Sequence, residues 1–290
     1  MERAEFKTDA GSIVFGGGAY MLTSIEGTGG GGLYKTVAQY LDTDGAETLD
    51  VLYEPRSITI KGYIRARNAA EMYGLRKEMI RILNGKAKGI LEYHCATGTY
   101  QTEAELESLP DWGTPSQTFL LFTVYLTANK FYWKSISEKN QTLIKDGKKL
   151  KTTFTLPCVF SIRSAVSDVW NQGEVSTPLV IEIYASQGQT NLLSTENGIE
   201  IINHTTGKHI MINHEMQSGE TVRVDTDNIS VTSSVSGNIL NKVQFDADDD
   251  YETDLSLSLA PGKNELECIN YDRSRSIAVV VRYYDMFVGV

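Results

Sequence analysis

The sequence predicts a mainly β protein with one helix, divided into two domains, and three observations carry that reading. Runs of β-branched and aromatic residues recur along most of the chain: SITIKGYI at 57–64, TFLLFTVYLT at 118–127, PLVIEIY at 178–184, TVRVDT at 221–226 and SIAVVVRYY at 276–284. Turn signals such as ATGT, TTGK, KDGK and APGKN lie between them. A single segment, NAAEMYGLRKEMIRILNGK, changes period, with Met72, Leu75, Met79, Ile82 and Leu83 at spacings of three and four.

Each element follows from local chemistry. Asn68 and Glu71 form a capping box ahead of that stripe and Gly85 follows its last turn, so a helix is predicted over about 69–84. Strands predicted at 57–66 and 89–95 flank it, which places its Met and Leu stripe against a sheet. A boundary is expected between 134 and 155, where the apolar run ending in ANKFYW gives way to the polar, lysine-rich KSISEKNQTLIKDGKKLK. The domains are thus 1–134, a β-sheet with the helix, and 135–290, which lacks a comparable helix and reads as an antiparallel β-sandwich.

Composition bounds the function. A chain of 290 residues with 41% hydrophobic side chains can fill two ordinary cores. The net charge of −10 argues against a protein built to hold nucleic-acid backbone. The negative charge concentrates in the second half, with 14 basic and 16 acidic residues in 1–134 against 13 and 21 in the remainder. MERAEFKTDAGSIVF lacks the basic and apolar stretches of a secretory signal, and no run is apolar enough to cross a membrane as a helix, so synthesis in the cytoplasm without membrane insertion is expected. Cys95, Cys158 and Cys268 are odd in number and far apart, and read as buried free thiols.

The segments that invite a chemical reading are three. His204, His209 and His214 crowd INHTTGKHIMINHE, and a two-residue turn at Thr206 and Gly207 would set His204 across from His209. His214 would then fall on the opposite strand face, and HEMQS lacks the second histidine of a zincin helix, so the expectation is a turn with exposed imidazoles and no metal. GTGGGG at 27–32 satisfies G-x-G-x-x-G, but LYKTVAQYLD is too short for the following helix, which leaves a flexible loop or one shaped on assembly. The acidic run DADDDYETD at 246–254 has Tyr251 where a calcium loop needs glycine and Leu257 where it needs glutamate, and reads as a solvated loop. No G-x-S-x-G elbow or marked carboxylate pair is present, so no catalytic residues and no cofactor are expected.

A resemblance adds what composition cannot. IVFGGGAYMLTSIEG, YEPRSITIKGYI, LRKEMIRILNGKAKGILEY and FTVYLTANKFYW, followed by NQGEVSTPLVIEIY, IEIINHTTGKHI, GETVRVDT and LAPGKNELE, resemble in order and spacing the distal tail proteins of long-tailed bacteriophages, over about 12–285. The sequence departs from that family at Ala128-Asn129-Lys130-Phe131, where an Asn-Pro or Asp-Pro turn is usual. The resemblance implies a galectin-like C-terminal sandwich and a structural hub, a ring, usually six-fold, that joins the tail tube to the tail-tip and receptor-binding apparatus. It implies partners that are other copies of the chain, a tube protein, a tip protein and a receptor-binding protein, with no sequence-specific nucleic acid, at the tail tip of a virion assembled in the host cytoplasm. The ring or partner interface is expected at Gly29, Gly30, Gly31, Gly32, Tyr34 and Tyr40, within a stretch that orders only when a neighbour docks. The alternative function is a carbohydrate-binding module using Trp170, Asn171 and Gln172 on host cell-wall glycans, although Trp170 is expected in the core.

Overall fold

The computed structural model describes residues 2–39, 44–144, 164–185, 198–244, 252–253, 255–271 and 277–290. They form two compact units, one of residues 1–136 with 287–290 and one of residues 137–286. The last four residues therefore fold with the first unit, a return that a single division at 134/135 leaves out.

In the first unit the strands are β1 (Arg3–Thr8), β2 (Gly11–Phe15), β3 (Tyr20–Glu26), β4 (Leu33–Ala38), β5 (Glu47–Tyr53), β6 (Arg56–Arg65), β7 (Lys88–His94), β8 (Thr99–Leu106), β9 (Asp111–Trp112), β10 (Phe119–Ala128) and β11 (Trp133–Ser135), with helix α1 (Ala69–Ile82) between β6 and β7. The main sheet runs β2-β1-β7-β8-β10-β6-β3, and its two ends, β2 and β3, are consecutive in sequence. Gly16 N donates to Tyr20 O at 2.9 Å across that link, so the sheet curls back towards itself.

Its core follows from period-two alternation. Along β6 and β10 the cross-strand partners Ile58 and Leu126, Ile60 and Val124, and Ile64 and Leu120 are all buried. Gly62 opposes Phe122 in the same ladder, and a Cβ there would lie 2.6 Å from the Phe122 ring, so glycine makes room for the aromatic. The helix begins as the sequence predicts: Asn68 Oδ1 accepts from Glu71 N at 2.9 Å, and Glu71 Oε2 accepts from Arg67 N at 2.7 Å. Met72, Met79, Ile82 and Leu83 join the buried faces of the strands in one core.

The second unit is a sandwich. Its strands are β12 (Lys139–Ile144), β13 (Ser164–Asn171), β14 (Thr177–Ala185), β15 (Ile199–Asn203), β16 (Lys208–Ile212), β17 (Thr221–Asp225), β18 (Ser230–Ser233), β19 (Gly237–Asn238), β20 (Val243–Gln244), β21 (Glu252–Thr253), β22 (Ser258–Leu259), β23 (Gly262–Asn270) and β24 (Ile277–Tyr283). One sheet runs β12-β24-β14-β17-β18-β19 and the other β13-β23-β15-β16-β20. Ile181, Ile183, Val222, Val224, Val279 and Val281 from the first sheet form one core with Ile199, Ile201, Ile210, Ile212, Leu266 and Cys268 from the second.

The cysteines divide. Burial pushes the Cys268 thiol well above its ordinary pKa and leaves it inert, whereas Cys95 is only partly covered, its Sγ 3.0 Å from Thr97 Oγ1, which corrects the expectation that it is buried. Cys158, residues 145–151 of the lysine-rich segment and most of the acidic run lie outside the described residues. Leu257, where a calcium loop would place its glutamate, is a core residue.

Candidate assembly surface

Strands β4 and β5 form a hairpin that pairs with no third strand among the described residues. Leu33, Lys35, Val51 and Tyr53 share one face, while Tyr34, Thr36, Asp50 and Leu52 share the other. The register shifts at Thr36 and Val37, leaving Leu49 without a cross-strand partner. Tyr34, Leu49 and Leu52 are 59, 62 and 56% exposed, and Leu33, Val37, Val51 and Tyr53 are also open to solvent. A two-stranded ribbon is at best marginally stable in water by itself, and contiguous exposed apolar surface is the composition that interaction sites carry.

The root of this hairpin is held by one buried cation. Arg56, the first residue of β6, is 1% exposed. Its Nη1 donates to the carbonyls of Gly27 at 2.8 Å, Thr28 at 3.2 Å and Gly30 at 2.8 Å. Its Nε donates to Phe131 O at 3.0 Å and its Nη2 to Val288 O. The guanidinium also lies 4.2 Å from the centre of the Phe131 ring, which in turn stacks on Tyr53 at 4.2 Å. Trp133 Nε1 adds a bond to Thr28 O at 3.1 Å, and Glu54 N donates to Gly32 O at 3.0 Å to close the ribbon. Only arginine offers five donors in a fixed fork, which is what a cluster of carbonyls with no carboxylate demands.

This geometry corrects the loop reading. Gly29, Gly30, Gly31 and Gly32 are exposed, and carbonyls of the segment 27–30 are held within the subunit by Arg56. Gly31 serves packing, since a Cβ there would lie 2.1 Å from the Phe131 ring. Tyr34 stands on the open hairpin and Tyr40 lies outside the described residues. Arg56, Phe131 and Trp133 were missed as functional residues; the signals were the arginine in YEPRSITI and the aromatic triplet that stands where the family's proline turn is absent.

The glycan residues are placed differently. Trp170 is 57% exposed on edge strand β13, which corrects the expected core position. Asn171 faces the interior, donating to Val175 O and Leu259 O at 2.9 Å each and accepting from Gly173 N at 2.8 Å, so its amide is committed to backbone. Gln172 is exposed and accepts from Lys139 Nζ at 3.0 Å.

The histidines are also rearranged. Asn203 pairs with Lys208, so the loop is four residues long and His209 faces Ile202 instead of His204. The cause is Asn203: its backbone carbonyl accepts from Thr206 N and Gly207 N, and its Oδ1 accepts from Thr205 N at 3.0 Å. Each imidazole then lies 2.8 Å from a different carboxylate: His204 from Glu267, His209 from Glu200 and His214 from Glu220. His209 and His214 are buried, which overturns the expectation of exposed rings.

Glu220 carries a pH prediction. Burial pushes its carboxyl up, but hydrogen bonds from Gln217 N, Ser233 Oγ and His214 outweigh that and hold its pKa below the ordinary 4.5. A depressed folded-state pKa contributes stability above the unfolded value and loses it as pH falls through the folded one. Glu220→Gln should therefore cost about 1–3 kcal/mol at pH 7, with the difference shrinking below about pH 4. Equal loss at pH 7 and pH 3 in urea titrations would refute this.

Comparison with known proteins follows these two units. The family model for the phage tail protein RIFT-related domain matches residues 24–158, and that for the siphovirus-type tail component, C-terminal domain, matches residues 172–287. Among solved structures, the Dit protein of phage SPP1, described as a paradigm of the hub adsorption apparatus in phages infecting Gram-positive hosts, is similar at a TM-score of 0.65 and 9% identity over 99% of both chains. A chain of the phage P2 baseplate, in its activated conformation with calcium, is similar at a TM-score of 0.52 and 13% identity, over 100% of this chain and 99% of that one. Comparison with curated proteins found no match. The two family domains follow one another along most of the sequence, and the chain belongs to the distal tail proteins of siphovirus-type phages.

Proposed function

We propose that the protein is a structural hub of a phage tail tip that closes into a ring, six-fold by family resemblance, and joins the tail tube to the tip and receptor-binding proteins. It acts by fitting against copies of itself and its neighbours, with no bond made or broken. The observation that carries this reading is the β4–β5 hairpin, apolar on both faces and pairing with no third strand among the described residues. A ring closes through a heterologous contact, in which such a projection on one copy seats against a different surface of the next. Gly29 to Gly32 and Tyr34 belong to that contact, which the first unit supplies.

Light scattering of the full chain over a concentration series, followed by negative-stain imaging, tests it. The expected result is mass rising to a closed species with a central hole. A monomer mass at every concentration, alone and with tube protein, would remove the reading.

Trp170 supports a second reading, attachment to host glycans through one exposed aromatic. Loss of glycan-array signal on Trp170→Ala would favour it, and a wild-type array without signal would end it.

A further inference from the structure

We propose that Glu5, Glu92 and His94 bind one divalent transition-metal ion of the zinc class on the outer face of the first unit's sheet. This inference does not depend on the ring.

The register creates the site. Glu5 and Glu92 are direct partners across the β1–β7 ladder, and His94 follows two residues after Glu92 on the same face. Like charges placed directly opposite one another oppose strand pairing, and a cation shared between them relieves that cost. Lys7 binds Glu92, and Arg3 lies 3.5 Å from Glu5, but both cations are roughly half exposed and such pairs contribute little. The two carboxylates are far less exposed, at 18 and 16% of their side-chain surface.

A second observation comes from the imidazole. His94 Nδ1 lies 3.0 Å from Thr99 Oγ1, while Nε2 is buried without a hydrogen-bond partner. With Nδ1–H donating to the hydroxyl, Nε2 keeps a free lone pair, the tautomer that metal-ligating histidines adopt through an outer hydrogen bond. One oxygen from each carboxylate and one ring nitrogen all lie within 4.8 Å of one another, compact enough for a single ion. Two oxygens and one imidazole nitrogen suit zinc, with a fourth position for water, better than calcium, which prefers an all-oxygen shell. Such an ion would tie the first strand of the chain to β7.

The test is calorimetric titration of the full chain with Zn2+, with Co2+ absorption reporting coordination geometry. One ion per chain is expected, with His94→Ala weakening binding at least about a hundredfold and Thr99→Val about tenfold, the size of an outer-shell effect. Lys7→Met should tighten binding, because the ammonium competes for Glu92. Should Glu92→Gln fold poorly, His94→Ala at a partly exposed position, with circular dichroism as control, keeps the test intact. Absence of saturable one-to-one binding below about 0.1 mM Zn2+, or unchanged binding in His94→Ala, would overturn the proposal.

Discussion

Arg56→Met should lower the stability of the first unit by about 3–5 kcal/mol and free the root of the hairpin. The mechanism is the loss of the Arg56 donors to five carbonyls, those of Gly27, Thr28, Gly30, Phe131 and Val288, of which Thr28 keeps Trp133 Nε1 and Val290 N as donors. Methionine fills part of the volume but offers no donor, so the covered carbonyls, Phe131 O above all, are left without the guanidinium that satisfied them. Arg56→Lys should recover only part of the loss, because one ammonium cannot span the fork. Denaturant unfolding measures the first effect. Hydrogen exchange measures the second: amides in 27–53 should exchange faster while those in 177–185 keep their rates. Unfolding of Arg56→Met within 1 kcal/mol of wild type would show that the carbonyls find other partners.

Leu49→Asp combined with Leu52→Asp should weaken self-association at least about a hundredfold while changing monomer stability by less than about 1 kcal/mol. Both side chains are more than half exposed in the single chain and belong to neither hydrophobic core. At an interface each would be an apolar anchor, and an aspartate in its place must be desolvated without a partner. Tyr73→Ala, at a half-exposed tyrosine on α1, is the control and should associate like wild type. Equal association of the double variant and wild type, by sedimentation, would remove the hairpin from the proposed contact. The two predictions separate cleanly, because Arg56 acts on how the hairpin is carried and Leu49 and Leu52 on what it binds.

Most of the architecture was legible from local pattern. The helix start was readable because Asn68 and Glu71 satisfy backbone donors within one turn of themselves. Strands such as β6 and β10 were readable because one face of each is buried, which writes a period of two into Ile58, Ile60, Leu120 and Val124. The hairpin was less legible: LYKTVA and ETLDVLY carry apolar residues on both faces, which looks like a buried strand until the missing neighbours are seen. The histidine loop was misread because Asn203, and not the TG pair, sets the turn.

By itself the sequence determined what depends on neighbours along the chain: the strand alternation, the single helix and its cap, the family and the broad β class. Only the tertiary structure decided what depends on residues far apart. Arg56 meets Val288 across 232 positions, His209 meets Glu200 across a hairpin that sequence spacing alone misplaces, and Trp170 falls on the uncovered face of an edge strand. The physical reason is that periodicity reports which face of an element is apolar, whereas hydrogen-bond satisfaction and exposure are settled by what the fold brings to that face.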